Sequence, residues 1–190
     1  MNKIIWPLLL CAVLCGCGGG ETGSAVQEQY RTLETARLEA EVTSHTSTDS
    51  RTFTLLCSYD ADGDAVTTVT APGELAGLTA VVSGTDMTLS SEGLQLPAGA
   101  SLDICPANCL PYLLRALADG YVLEQSSEAL DDTPCLRLAL DTTAPGGGKV
   151  LCAVWLDAEG LFPRYAEFSR NEQVVLTVKL LAFTCTTSEG

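Results

Sequence analysis

Histidine and basic residues are scarce in this chain of 190 residues. It has one histidine, His45, and ten lysines and arginines against 24 aspartates and glutamates, which gives a formal net charge of -14. A surface of that sign repels polyanions and excludes nucleic-acid binding through a basic face. A single imidazole offers no basis for histidine-based catalysis or a histidine-rich metal site. Because His45 stands between Ser44 and Thr46, we expect it at an exposed strand end.

Long apolar runs are few, and the clearest one covers residues 4–14, directly after a short positive start. This run is too short to span a bilayer, which takes about 20 helical residues, but it matches the core of a signal peptide. The run ends in Leu14-Cys15-Gly16-Cys17, which fits the bacterial lipobox because a small residue precedes the last cysteine. We therefore predict a lipoprotein signal peptide over residues 1–16 and lipidation of Cys17.

Lipidation would fix the mature protein to the extracytoplasmic face of the cell membrane. Each buried methylene of an acyl chain contributes about 0.8 kcal/mol to such anchoring. Residues 17–24 are rich in glycine, and we interpret them as the acylated cysteine followed by a flexible tether. The remaining residues, 25–190, are predicted to form a single domain, which its negative charge would hold off anionic lipid headgroups.

Hydrophobic periodicity predicts a helix followed by a meander of short strands. Val26, Tyr30 and Leu33 follow an i, i+4, i+7 pattern behind Ser24 as N-cap, which predicts an amphipathic helix over residues 24–37. Apolar and polar residues then alternate, and turns with Gly and Asp separate short Thr-rich stretches, as in an antiparallel sheet. The strands predicted here cover residues 38–43, 52–59, 65–71, 78–82 and 87–90.

A second helix is predicted between Pro106, in its first turn, and Gly120. Pro111 falls inside this segment, and we expect it to kink or restart the helix. Five further strands are predicted over residues 121–125, 135–141, 150–157, 164–169 and 173–185. The chain therefore predicts one domain of roughly ten strands with two helical segments.

Six cysteines remain beyond Cys17, and their even number permits disulfides in an exported protein. Four lie in apolar strands, where a reduced cysteine is simply a small core residue. Cys105 and Cys109 have C-x3-C spacing, which argues against both a structural zinc site and a thioredoxin-type redox pair, although a helix N-terminus could make Cys105 reactive. Disulfides and free thiols both stay open for Cys57, Cys105, Cys109, Cys135, Cys152 and Cys185.

Two short motifs resemble ligand-binding loops, but neither has the residues that such a loop requires at fixed positions. Residues 60–64 have the carboxylate spacing of a calcium loop, but an EF-hand needs Gly and Glu where Ala65 and Ala71 stand. They are interpreted as a hairpin turn. Residues 146–149 resemble a phosphate loop, but Val150 occupies the position of the required hydroxyl residue. We predict no catalytic residue, metal or cofactor, and hence a protein that is not an enzyme.

Several diffuse motifs resemble the LolA-like superfamily of envelope lipoprotein carriers and receptors. They are residues 30–33, 53–55 with 59–60, 70–78, 105–111 and 182–183. Within that superfamily, the chain is most similar to the small sporulation and germination lipoproteins of spore-forming Gram-positive bacteria. The resemblance implies a strongly curved, incompletely closed antiparallel sheet, a half-barrel covered by helices, with an apolar cavity. Candidate cavity residues are Phe53, Leu55, Tyr59, Leu113, Leu114, Leu117, Val150, Val154 and Leu156.

Two hypotheses for function follow from the anchor and the resemblance. The first is a non-enzymatic, lipid-anchored extracytoplasmic binding protein that engages a partner protein in sporulation, germination or envelope regulation, with an acyl chain as a further ligand of its concave apolar face. The alternative is a lipid or lipoprotein carrier or receptor. The soluble carrier of the superfamily is not lipidated, because it shuttles between membranes, so an anchor favours partner binding over ferrying.

Overall fold

The computed structural model describes residues 19–100, 103–144 and 146–188. The predicted signal peptide and Cys17 lie outside the described residues. One antiparallel sheet with two helices makes up most of the described chain. The elements are α1 Gly19–Arg31, β1 Leu33–His45, β2 Ser50–Asp60, β3 Ala65–Ala71, a short 3-10 helix Gly73–Leu75, β4 Thr79–Ser83, β5 Asp86–Ser91, β6 Leu94–Ala100, α2 Cys109–Asp119, β7 Tyr121–Leu130, β8 Thr133–Thr143, β9 Lys149–Asp157, β10 Pro163–Arg170 and β11 Gln173–Thr187.

The sheet has eleven strands in the order β6-β5-β4-β3-β2-β1-β11-β10-β9-β8-β7. Every neighbour is also a sequence neighbour except β1 and β11, whose antiparallel pairing joins the two halves of the meander. The edge strands β6 and β7 do not pair with each other, so the sheet stays open, and α2 connects them. The predicted incompletely closed antiparallel sheet with helices is therefore confirmed.

Alternation along the central strand β1 shows why these residues form a sheet with one buried face. Leu38, Ala40 and Val42 are fully buried, while Glu39 and Glu41 between them are exposed. Successive side chains of a strand point to opposite faces, so one face of β1 packs on the helices and the other meets solvent. Burying each such Leu or Val contributes about 1.5–3 kcal/mol.

The predicted bounds of the first helix are wrong at both ends. The helix begins at Gly19 and ends at Arg31, and Leu33 is the first residue of β1. Leu33 is buried as an inward residue of that strand, so the helical spacing that includes it arises by coincidence. The residues expected as a flexible tether from Gly19 onward are helical. At Gly23, an added Cβ would lie 3.1 Å from Oε1 of Gln125, so this glycine permits close packing on β7.

The second helix begins later than predicted and contains its proline without interruption. It starts at Cys109, not Pro106, because the side chain of Asn108 holds the preceding turn. Asn108 Oδ1 accepts a hydrogen bond from the Cys105 N–H at 2.9 Å, and Asn108 Nδ2 donates to the Asp103 carbonyl at 2.9 Å. Pro111 falls in the first turn of α2, where N–H groups have no intrahelical acceptor to lose. The predicted end at Gly120 is confirmed.

One strand was missed, and several strands, β1 and β7 above all, are longer than predicted. The missed strand is β6, which contains Pro97 and Gly99, two residues typical of turns. As an edge strand it pairs only with β5, so a proline without an N–H group is acceptable there. The strand predicted over residues 121–125 continues to Leu130. Its polar second half fits an edge strand, whose outer positions stay in water.

Candidate functional site

The nine residues predicted to line a cavity come together in one hydrophobic cluster between the sheet and the helices. Three of them lie on α2 and six on β2 and β9. Phe53 and Tyr59 are half-buried and pack against the cluster. The other seven have relative exposures of 1% or less, namely Leu55, Leu113, Leu114, Leu117, Val150, Val154 and Leu156.

This interior is filled by side chains. A void large enough for an acyl chain would leave its lining accessible to a water-sized sphere, yet these seven side chains have almost no accessible surface. Aromatic contacts complete the layer, because the rings of Tyr112 on α2 and Phe168 on β10 lie 5.9 Å apart. The Tyr112 and Thr142 hydroxyls share a hydrogen bond of 3.2 Å. The residues predicted as a cavity lining therefore form a packed core in this structure.

Helix α1 is fixed over the core by side-chain bonds to distant turns. Gln27 Nε2 donates to the Gly120 carbonyl at 2.7 Å, and the Tyr30 hydroxyl donates to the Leu161 carbonyl at 3.0 Å. Burial raises the pKa of Tyr30, and Cys185 adds a smaller contribution in the same direction. Tyr30 therefore stays protonated and keeps its donor role at neutral pH. These bonds close one side of the apolar layer.

Cys57, Cys109, Cys135, Cys152 and Cys185 are free thiols. Burial raises the pKa of Cys57 to about 11, although the neighbouring Thr67 hydroxyl lowers it. Burial also raises the pKa of Cys152 and, together with Cys105 and Cys57, that of Cys109. Thiols with raised pKa values are protonated at neutral pH and are weak nucleophiles. The structure thus gives these three thiols a packing role.

The polar motifs of the sequence have structural roles. The ring nitrogens of His45, at the end of β1, lie 3.1 Å from the Ser50 hydroxyl and 3.3 Å from that of Thr177. Residues 60–64 form the predicted turn between β2 and β3, where Asp60 Oδ1 accepts a hydrogen bond from the Asp62 N–H at 3.0 Å. Within the described ranges, no group of three His, Cys, Asp or Glu residues could hold a metal ion.

The sequence analysis missed a row of side chains across the outer face of the sheet. Cross-strand pairing places Arg137, Trp155, Tyr165 and Lys179 next to one another on β8, β9, β10 and β11, and we call these four residues the aromatic row. The Arg137 guanidinium carbon lies 5.3 Å from the centroid of the Trp155 ring, and the Trp155 and Tyr165 rings lie 5.4 Å apart. The alternation of β9 could have revealed Trp155, since its neighbours Val154 and Leu156 point inward.

Acidic side chains hold one end of the aromatic row in place. Trp155 Nε1 donates to Glu128 Oε2 at 3.0 Å, and Arg137 donates to Glu124 Oε2 at 3.0 Å. Hydrogen bonds from the Ser126 hydroxyl and from Trp155 lower the pKa of Glu128, and the Arg137 charge acts in the same direction. The outer face therefore presents oriented Trp and Tyr rings beside an arginine, residue types that are enriched at protein interfaces.

The described residues form several surface grooves of about 400–590 Å³, of which three lie along β11, α1 and β1. The first, about 540 Å³, lies between the β9–β10 turn and β11 and is lined by Phe162, Arg164 and Lys179. The second, about 590 Å³, follows the contact between α1 and β7. The third, about 400 Å³, lies on β1, β2 and the end of β11 and includes Tyr59. Of the nine predicted cavity residues, Tyr59 alone lines one of these three grooves.

No helix among the described residues has the length and apolarity to cross a bilayer.

No protein-family model and no curated protein sequence matches the chain. Solved structures do match. A DUF1329 family protein from Desulfovibrio piger is 13% identical, with a TM-score of 0.52 over 90% of this chain and 94% of its own. A LolA superfamily protein from Nitrosomonas europaea is 13% identical, with a TM-score of 0.45 over 87% of this chain and 94% of its own. A chain in the complex of the CwlD amidase from Clostridioides difficile with the GerS lipoprotein is 17% identical, with a TM-score of 0.38 over 94% of this chain and 96% of that one.

At such identities the likeness concerns the fold alone. The chain has a LolA-like fold, as its sequence motifs predicted. What this protein binds has to be argued from its own surface and interior.

Proposed function

We propose that this chain is a non-enzymatic, lipid-anchored protein of the extracytoplasmic membrane face that binds a partner protein. The observation that carries the proposal is the contrast between the two faces of its sheet. The inner face of the sheet is filled, with seven of the nine predicted lining residues at 1% exposure or less, whereas the outer face carries the aromatic row beside an open groove. A filled interior disfavours a permanent ligand and leaves the outer face as the working surface.

The electrostatics support a binding role over catalysis. The raised pKa values of Cys57, Cys109 and Cys152 keep these thiols neutral, and His45 is engaged by two hydroxyl groups at a strand end. A protein with a net charge of -14 would also attract a partner with a basic surface and accelerate the encounter. The anchor at Cys17 and the sporulation or germination context rest on the sequence motifs.

An acyl carrier is the second candidate function. It is favoured by the continuous apolar layer between the helices and the sheet, whose edge strands β6 and β7 remain unjoined. An acyl chain could enter only if α1 and α2 moved off the sheet, because the layer is packed in the closed state. Carrier function therefore requires an open conformation.

Mass spectrometry of the protein extracted from its native membrane separates these functions. Partner binding predicts a mature chain that begins at an acylated Cys17, carries no further lipid and co-purifies with a defined protein. Trp155→Ala should weaken that capture, and Tyr121→Ala, which removes an exposed aromatic side chain from β7, serves as the matched control. Stoichiometric bound lipid without a protein partner would favour the carrier. An unmodified chain that begins elsewhere would exclude the anchor.

A further inference from the structure

The sheet has a step where β10 and β11 separate. Strand β10 pairs with β11 as far as Tyr165 opposite Lys179, and then diverges. Beyond that point β11 continues to Thr187, paired with β1 on one side except at Leu181, where the register shifts by one residue. On the other side, no strand of the described chain pairs with residues 181–187. The step leaves about seven residues of β11, or about 24 Å, with one open edge.

The local sequence explains the divergence. Strand β10 begins at Pro163, which lacks the N–H group that would continue a ladder. The β9–β10 turn lies just before it, where the Leu161 N–H donates to the Asp157 carbonyl at 3.0 Å. That turn closes the β9–β10 hairpin, while β11 runs on beside β1.

The open edge lacks two of the features that usually protect such edges, although a bulge at Leu181 interrupts its pairing with β1. Natural proteins place lysine or proline on exposed edge strands, or cover them, because unpaired N–H and C=O groups attract another strand. Residues 180–188 contain neither proline nor a charged side chain, and Leu181 is 52% exposed. By contrast, β6 contains Pro97, and α1 packs on β7 through Gly23. The β11 segment is therefore an open edge that neither proline nor a charged side chain protects.

The 540 Å³ groove adjoins this edge and has apolar walls with two cations. The rings of Phe162 and Phe183 lie 5.4 Å apart in its lining, and Leu181 lies beside them. Arg164 and Lys179 also line the groove, together with Asp131 and Asp157. Asp157 is held by Arg164, whose Nη1 lies 3.4 Å from its Oδ2. The Lys179 ammonium group, at the start of the open edge, is then the cation best placed to meet an incoming carboxylate.

We propose that residues 181–187 of β11 accept an extended strand of the partner protein. The strand places an apolar side chain against Phe162 and Phe183 and a carboxylate near Lys179. Alternating backbone donors and acceptors can be satisfied by another peptide backbone, whereas an acyl chain has no groups to offer them. This inference rests on the proposed function, since it identifies the surface and the kind of segment that the protein partner uses.

A peptide of defined backbone chemistry tests the edge directly. The probe is a fluorescent seven-residue peptide of alternating threonine and valine with one aspartate near its end, titrated into the full chain in detergent. Two further peptides have the same side chains but carry N-methyl groups, one at the odd-numbered and the other at the even-numbered residues. Each of them therefore lacks the backbone N–H groups along one of its two edges. We expect binding of the parent peptide and about tenfold weaker binding of one methylated peptide. No binding of the parent peptide, or equal binding of all three, would overturn the proposal.

A matched pair of variants locates the site on the chain. Leu181→Asp places a carboxylate on the open edge, and Leu151→Asp makes the same change at a 38% exposed leucine of β9, which is paired on both sides. We expect the parent peptide to bind Leu151→Asp normally and Leu181→Asp about tenfold more weakly. Equal binding to both variants would show that the peptide binds elsewhere and would contradict the proposal.

Capture of the natural partner separates this inference from the proposed function. If wild-type protein captures no partner, the proposed function fails. If wild-type and Leu181→Asp proteins capture the same partner equally, the proposed function stands and the open edge is not its site. Wild-type dimers that become monomers in Leu181→Asp would show that a second copy occupies the edge, which would also overturn the proposal.

Discussion

The hydroxyl group of Tyr30 donates a hydrogen bond of 3.0 Å to the backbone carbonyl of Leu161, which lies 131 residues further along the chain. One residue earlier, Gln29 Nε2 donates to the Gly160 carbonyl at 3.2 Å. Both acceptors belong to the β9–β10 turn, where Leu161 has a positive φ of 55°. The last turn of α1 and that turn therefore support each other beside the groove at the open edge.

We predict that Tyr30→Phe destabilises the fold by about 1 kcal/mol, because it removes one buried hydrogen bond and leaves the Leu161 carbonyl without its donor. Urea unfolding measures this change. Tyr121→Phe removes an exposed hydroxyl group from β7 and should change stability by less than about 0.5 kcal/mol. Equal effects of the two variants would show that the α1 bond contributes nothing to stability.

We predict that Leu117→Ala on α2 destabilises the fold by about 2–5 kcal/mol. The Leu117 side chain is fully buried in the main cluster, so its removal loses contacts on all sides and leaves a cavity. Leu123→Ala, at a 55% exposed position of β7, is the matched control and should have little effect. A loss below about 1 kcal/mol for Leu117→Ala would mean that the interior is loosely packed and would favour the carrier function.

Sequence patterns predicted the elements whose signals are local. The alternation of Leu38, Ala40 and Val42 with glutamates predicted β1, and the structure confirms this strand. A strand at the centre of a sheet with one buried face must alternate in this way. The boundary between α1 and β1 was predicted wrongly, since Leu33 is buried whether it ends a helix or begins a strand. Asn108 displaced the start of α2 through hydrogen bonds that no spacing of apolar residues encodes.

The features of the outer face could not be read in the same way because they depend on register. Trp155 meets Arg137 and Tyr165 through pairings between three strands, and a shift of one residue in either hairpin would separate them. The open edge depends on the different lengths of β10 and β11 beyond Lys179. The sequence also could not predict that the core is packed, because filled and open interiors require the same apolar residues.

We predict that alkaline pH destabilises the fold between about pH 9 and pH 11, partly through Cys57. Its pKa is about 11 in the folded chain against 9.0 for an ordinary thiol, so the unfolded state loses its proton first as the pH rises. The contribution of Cys57 is fully present below about pH 9 and is lost as the pH approaches its folded pKa. Cys152 and Cys109 act in the same direction.

Urea unfolding at several pH values, compared between wild type and Cys57→Ala, measures this contribution. The variant should lose about 2–3 kcal/mol less than wild type over the interval from about pH 9 to pH 11. Cys185→Ala, at a half-buried thiol near the end of β11, is a control that should reduce the loss by a smaller amount. Parallel pH profiles for wild type and Cys57→Ala would contradict a raised pKa at Cys57.

We predict that Arg137 and Trp155 are coupled by about 0.5–1 kcal/mol, as expected for a cation above an aromatic ring that is partly shielded from water. A double-mutant cycle with Arg137→Met and Trp155→Leu measures this coupling by urea unfolding. Trp155 is the only tryptophan after the predicted signal peptide, so its fluorescence reports the same contact. Arg137→Met should change the emission of Trp155, whereas Arg170→Met, which removes a cation at the far end of β10, should leave it unchanged. Additive stabilities in the cycle would show that the ring and the guanidinium group are merely adjacent, and the outer face would then lose the rigid aromatic anchor on which partner binding is argued.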